Sequence, residues 1–193
     1  MPKGFLIGLI LLLSVLSGCA PVVIGGAAAV GASAIYDRRP AEVVLDDQKI
    51  ELMGMSALMQ DSKVQGHSSI AVTSYNRTVL LTGQAESKSV IHSAIDHISH
   101  LARVQRVIDE ITVGSNLDLM RKSEDVYITS RAKLAMLQIA LPDFNPTRVK
   151  VVTEDGVIYL LGLVSQEEGD AAAEQIRYVP GVKRVIKLFE EAH

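Results

Sequence analysis

The sequence predicts an α+β fold of two tandem α-β-β-α-β modules, each a small sheet covered by two helices. Three observations carry that reading. A pair of apolar strands around a short polar turn occurs twice; a glycine closes the second strand of each pair; and a helical apolar pattern, then a further short strand, follows each glycine.

Each module opens with an amphipathic helix, expected over about Asp47 to Met59 in the first and about Glu124 to Ile139 in the second. The first hairpin lies within Val72-Thr73-Ser74-Tyr75-Asn76-Arg77-Thr78-Val79-Leu80-Leu81-Thr82-Gly83. The second lies within Val152-Thr153-Glu154-Asp155-Gly156-Val157-Ile158-Tyr159-Leu160-Leu161-Gly162. Asp155-Gly156 is a strong two-residue turn signal, and Asn76-Arg77 a weaker one that suggests a longer loop. Gly83 and Gly162 stand at strand ends, where a missing side chain permits a bulge or close helix packing.

The next helix is expected from about Ser87 to Leu101, with Val90, Ile91, Ala94, Ile95 and Ile98 on its apolar stripe. Its counterpart runs from about Gln166 to Tyr178, with Ala171, Ala172, Ile176 and Val179, and Pro180-Gly181 stops it. The third strands are Val104–Ile108 and Val182–Ile186. Two units of roughly 70 residues result, an ordinary size for small modules of one chain.

Ahead of them, Lys3 precedes an uncharged apolar run from Phe5 to Leu16, a length that suits a secretory signal and is short for a bilayer span. The run ends in Leu16-Ser17-Gly18-Cys19, which resembles a bacterial lipobox. The resemblance implies lipid addition to Cys19, cleavage before it and acylation of the new amine, several acyl chains holding far more firmly than one. Ala20 after the cysteine implies sorting to the outer membrane, facing the periplasm, since aspartate there favours inner-membrane retention. The chain thus divides into a signal peptide (1–18), a lipidated Gly/Ala-rich tether (19–45), a first module (46–114), a linker (115–123) and a second module (124–193).

Removing 18 residues from 193 leaves 175, with 18 basic and 22 acidic side chains once Lys3 is gone, a net charge of −4. That balance gives the chain no electrostatic footprint for nucleic acid. There is no tryptophan and one cysteine, so neither aromatic stacking platforms nor an internal disulfide is expected.

The hairpin pattern, the helix and the run Val179-Pro180-Gly181-Val182-Lys183-Arg184-Val185-Ile186 are similar to a BON domain. Two such units behind a lipobox resemble the dual-BON outer-membrane lipoproteins associated with division sites and envelope integrity. The first unit departs from the pattern, having Leu101-Ala102-Arg103-Val104 in place of the glycine stop. The resemblance implies a non-enzymatic protein, without cofactor, that binds anionic phospholipid through the first helix of its second domain. On this chain it points to Tyr127, Ile128, Arg131, Lys133, Leu134 and Leu137. Chemistry agrees: Tyr127 has an apolar ring with a polar tip, and Arg131 and Lys133, with nearby Arg121 and Lys122, suit phosphates. Tyr127 replaces a tryptophan frequent in the family and is the weaker interfacial anchor. Ile128 is ambiguous between core and membrane, and the competing expectation for the whole stripe is an ordinary core face.

Other chemistry is less well supported. His92, His97 and His100 share a helix with Asp96, but His92 and His97 point different ways, so no metal site is expected. There is no nucleophile elbow, phosphate loop or dinucleotide fingerprint. The acid pairs Asp46-Asp47, Glu124-Asp125, Glu167-Glu168 and Glu190-Glu191 read as helix-flanking or solvated charges. The alternative function is a lipid-tethered adaptor gripping an envelope-assembly or peptidoglycan-remodelling protein. It predicts an exposed apolar patch without basic neighbours, on the first module or across the junction between modules. Oligomeric state is not legible.

Overall fold

The computed structural model describes residues 37–192; the signal segment, Cys19 and the tether through residue 36 lie outside the described residues. Helix α1 (Ala41–Gln60) follows Pro40, whose φ of −56° suits a helix entry and whose carbonyl accepts from Val43 and Val44. It therefore starts several residues ahead of Asp47, inside the segment read as tether. The module continues with β1 (Ser68–Tyr75), β2 (Thr78–Ala85), α2 (Lys88–Ser99) and β3 (Arg106–Val113). The second module comprises α3 (Leu119–Met136), a 3-10 turn at Pro146–Arg148, β4 (Val149–Glu154), β5 (Val157–Val164), α4 (Gln166–Ile176) and β6 (Arg184–Glu191).

Helix α3 likewise begins earlier than Glu124, because the Asp118 carboxylate accepts from the Arg121 amide 2.8 Å away and caps a turn the apolar pattern does not mark. Ser165 and Glu168 form a capping box on α4.

In each sheet the central strand pairs antiparallel with the strand before it and parallel with the strand after the helix. The parallel ladders run from Thr78↔Arg106 to Ala85↔Val113 and from Val157↔Arg184 to Val164↔Glu191. The third strands are consequently longer, and begin later, than the short apolar cores expected from sequence. Both hairpins close with two-residue loops: Asn76 and Arg77 at φ 50° and 63°, Asp155 and Gly156 at 47° and 75°. The first loop is thus no longer than the second, although arginine tolerates the left-handed region poorly.

The side-chain period of two sends alternate residues of each central strand to different layers. Val79, Leu81 and Ala85 pack with Ile50, Leu58, Ile91, Ala94 and Ile98 under α1 and α2. Ile158, Leu160 and Val164 do the same with Ile128, Ala132, Met136 and Ile176 under α3 and α4. On the opposite faces, Leu80, Tyr75, Tyr159 and Leu161 form a third core with Ile108, Val152 and Leu188. The two sheets therefore stack face to face, giving four layers: helices, sheet, sheet, helices. At Gly83, with φ of 120°, an added Cβ would stand 1.9 Å from the Ser69 carbonyl oxygen, so the two hairpin strands can approach only over a glycine.

Candidate functional site

A buried aspartate ties the first helix of each module to its hairpin. Asp47 accepts from the Asn76 and Arg77 amides (2.8 and 2.7 Å), from the Ser74 hydroxyl (2.6 Å) and from Arg39 (2.7 Å). Those amide bonds explain how Arg77 is held in its left-handed conformation. Asp46 beside it is clamped by Arg103 and Arg77, whose hydrogen bonds hold its carboxyl below the usual carboxylate range. In the second module Asp125 accepts from the Asp155 and Gly156 amides, both at 2.8 Å. Asp46, Asp47 and Asp125 are buried inside their helices, which corrects their reading as helix-flanking or solvated acids; Glu168 is buried too, but it stands in the first turn of α4, as that reading has it. They are internal connectors, since a buried carboxylate persists only when it is fully hydrogen-bonded.

With Asp125 fixed, the orientation of α3 is set. Asp125, Ile128, Ala132 and Met136 face inward, and the Thr129 hydroxyl donates to the Thr153 hydroxyl at 2.7 Å. Ile128 is only 4% exposed and packs against Gly181, where a Cβ would come within 3.0 Å of its Cδ1. Ile128 is thus a core residue and leaves the set of membrane-contact candidates. Gly162 stands against the Arg148 carbonyl, 2.7 Å from a built Cβ, and Gly181 adopts φ 91°.

The opposite face of α3 is open. Tyr127 (59%), Leu134 (56%) and Leu137 (68%) are exposed, and Arg131 and Lys133 lie among them, also exposed. Among the described residues neither cation has a hydrogen bond or ion pair. The ordinary core-stripe reading fails for Leu134 and Leu137, which turn away from the core. Leu119, Met120 and Val126 extend the same apolar surface; the first two lie ahead of Glu124, in the turn that the Asp118 cap starts and the apolar pattern does not mark. Arg121 is committed elsewhere: it donates to Asp155 and Glu124, and with Lys183 it holds the Asp155 carboxyl low. Lys122 reaches the Ser69 hydroxyl at 3.2 Å.

The chain entering the first module is clipped at the junction. Arg38 donates to Glu168 and to the Leu163 carbonyl of the second module, while Arg39 pairs with Asp37 and Asp47 and stacks 3.7 Å from the Tyr75 ring centroid. Tyr75 completes the seam, its hydroxyl donating to the Arg148 carbonyl and accepting from the Leu163 amide. Burial pushes that hydroxyl's pKa up.

Helix α1 also carries an apolar outer face, formed by Leu45, Leu52, Met53, Met55 and Met59, with Glu42 and Lys49 as its exposed charges. The histidines of α2 diverge: His97 bonds Asp61 at 2.9 Å, His100 bonds the Asp96 carbonyl, and His92 is exposed. Ser93 also donates to Asp61, so these three residues fasten a loop. Among the described residues no group of three or more histidine, cysteine or acidic side chains is placed to hold a metal ion, and no helix is long and apolar enough to cross a membrane.

Paired α-β-β-α-β modules, stacked sheet to sheet with an aspartate binding each first helix to its hairpin, define a tandem-module α+β protein. The chain belongs to the BON domain family, whose pattern matches residues 46–115 and 125–192. It is 33% identical to the outer membrane lipoprotein DolP of Haemophilus influenzae, over 91% of this chain and 89% of that one. It is 36% identical to the 21 kDa hemolysin of Actinobacillus pleuropneumoniae, over 79% and 78%. The osmotically-inducible protein Y of Escherichia coli is 31% identical over 73% of this chain and 70% of its own.

Proposed function

We propose that this protein is a non-catalytic lipoprotein of the outer membrane, anchored through Cys19 on the periplasmic face, which binds anionic phospholipid through α3 and supports envelope integrity. The likeness to an outer membrane lipoprotein supports the class and the location. The observation that carries the lipid reading is the open face of α3, where apolar side chains surround two uncommitted cations. Tyr127, Leu134 and Leu137 enter the headgroup boundary, and Arg131 and Lys133 meet phosphates. Each basic residue near an anionic surface contributes about 1 kcal/mol, so binding is weak, reversible and salt-sensitive. Added to the tether, such a contact concentrates the protein where anionic lipid gathers, as at a division site.

The test is co-sedimentation of the unlipidated body, residues 20–193, with neutral and anionic vesicles. Binding to anionic vesicles alone is expected, with loss in the Tyr127→Ala, Arg131→Glu double variant. Equal recovery of both proteins with anionic vesicles would sink the reading. A second reading, a lipid-tethered adaptor for envelope-assembly or peptidoglycan-remodelling proteins, draws on the outer face of α1, which is apolar and nearly without charge.

A further inference from the structure

The outer face of α1 follows a pattern separate from its core face. Ala41, Leu45, Gln48, Leu52, Met55 and Met59 succeed one another at alternating steps of four and three residues, and all are exposed. That spacing is the seam of a left-handed helix pair, in which the apolar line meets a partner helix. The core line of the same helix (Val43, Ile50, Gly54, Leu58) lies on the opposite side. A helix apolar on two sides is ordinarily covered on both.

We propose that this face is a homodimer interface, on which α1 of a second copy lies antiparallel. The seam is symmetric about position 50. A two-fold axis there sets Ala41 opposite Met59 of the other copy, Leu45 opposite Met55, and Gln48 opposite Leu52, so the four outer layers are apolar and the two beside the axis pair Gln48 with Leu52. This is the self-complementary arrangement a two-fold contact requires. Of the exposed charges beside the seam, Glu42 stands far from the axis, whereas Lys49 of the two copies approach to about 3 Å along the helix axes, a solvated like-charge pair at the rim that makes the contact stronger at higher salt. Antiparallel helices also oppose their dipoles favourably.

Area is sufficient for a modest dimer. The four large apolar side chains of the seam, Leu45, Leu52, Met55 and Met59, are 47–67% exposed, and Ala41 and Gln48 are exposed with them. They offer about 500 Å² per copy, hence about 1,000 Å² for the pair, at the lower end of specific interfaces. Four-layer stacking puts α1 and α3 on opposite outer faces, with axes roughly 30 Å apart given helix and sheet thicknesses. A surface lying against α3 therefore leaves α1 free, and the proposal does not rest on the lipid reading.

The test uses the full chain in its own membranes under a mild oxidant. Leu45→Cys with Met55→Cys on one chain should yield a covalent homodimer, because a disulfide needs Cα atoms within about 7 Å. Leu45→Cys alone should not, since its like residues would sit about 15 Å apart along the helix axes. The unaltered chain, with Cys19 only, sets the background. Adding Leu52→Glu to the double variant should lower the dimer yield about tenfold, corresponding to 1.4 kcal/mol. Circular dichroism of each variant establishes that it folds. Absence of homodimer from the folded double variant, an equal yield from Leu45→Cys alone, or a product joined to a different protein would each overturn the proposal.

Discussion

Replacing Asp47 with alanine removes the acceptor for two backbone amides, those of Asn76 and Arg77, at the tip of the first hairpin. It also removes the partner of the Ser74 hydroxyl and one of two carboxylates on Arg39. A donor left unsatisfied in a buried site costs about 1–3 kcal/mol, so the two amides and the hydroxyl together give about 4 kcal/mol. Arg77 adds to this, because its left-handed conformation loses the bonds that hold it. Asp125→Ala offers an internal comparison: it frees only the Asp155 and Gly156 amides, in a turn whose second residue is a glycine, and should cost about 2 kcal/mol. Urea unfolding followed by far-ultraviolet circular dichroism separates the two. With a slope of about 2 kcal/mol per molar, the midpoints should fall by about 2 M and about 1 M. A fall below about 0.5 M for Asp47→Ala, or an equal loss for Asp125→Ala, would refute the view that these carboxylates hold helix to hairpin.

Gly83→Ala should destabilise by about 3 kcal/mol or more, because its Cβ meets the Ser69 carbonyl, whereas Gly114→Ala, with open space around it, should stay within about 0.5 kcal/mol; thermal melts of both decide the matter. Tyr75→Phe removes two hydrogen bonds across the junction and should cost about 1–2 kcal/mol, with the Arg39 stack retained, as read by the urea midpoint. Acid should weaken the fold in a definite window. Asp46 is held low by Arg103 and then Arg77; Glu168 is pushed up by burial, but Arg38 and the Ser165 amide outweigh it and lower its carboxyl. Depressed carboxyls contribute stability that is present above their unfolded values and lost as pH falls through the folded ones. The urea midpoint should therefore hold from pH 7 to about 5 and drop below about 4, and Arg38→Ala should make the drop shallower.

The repeat, both hairpins and the glycines were legible because turn chemistry and alternation act over a few neighbouring residues. The starts of α1 and α3 were not, since Pro40 and Asp118 fix them from outside the apolar stripes. The aspartates read as helix-flanking or solvated for a different reason: the partners that bury them come from hairpins 29 to 31 residues further along. Of the phospholipid candidates, Tyr127, Arg131, Lys133, Leu134 and Leu137 share one open face, whereas Ile128 is withdrawn into the core by the hole that Gly181 leaves. Leu45, Leu52 and Met59 went unremarked because a helix apolar on two sides has no single stripe to phase against.

The third core has a consequence for the chain as a whole. A lone module would present Leu80, Ile108 and their neighbours to water on a bare sheet face, and would associate with any copy it met at a rate set by its concentration. Here the partner face hangs on the same backbone, joined through residues 114–118 between β3 and α3. A link that short holds the second sheet at an effective concentration on the order of millimolar, whatever the number of molecules in the compartment. Covering the sheet becomes a unimolecular event, complete in a single chain at any dilution.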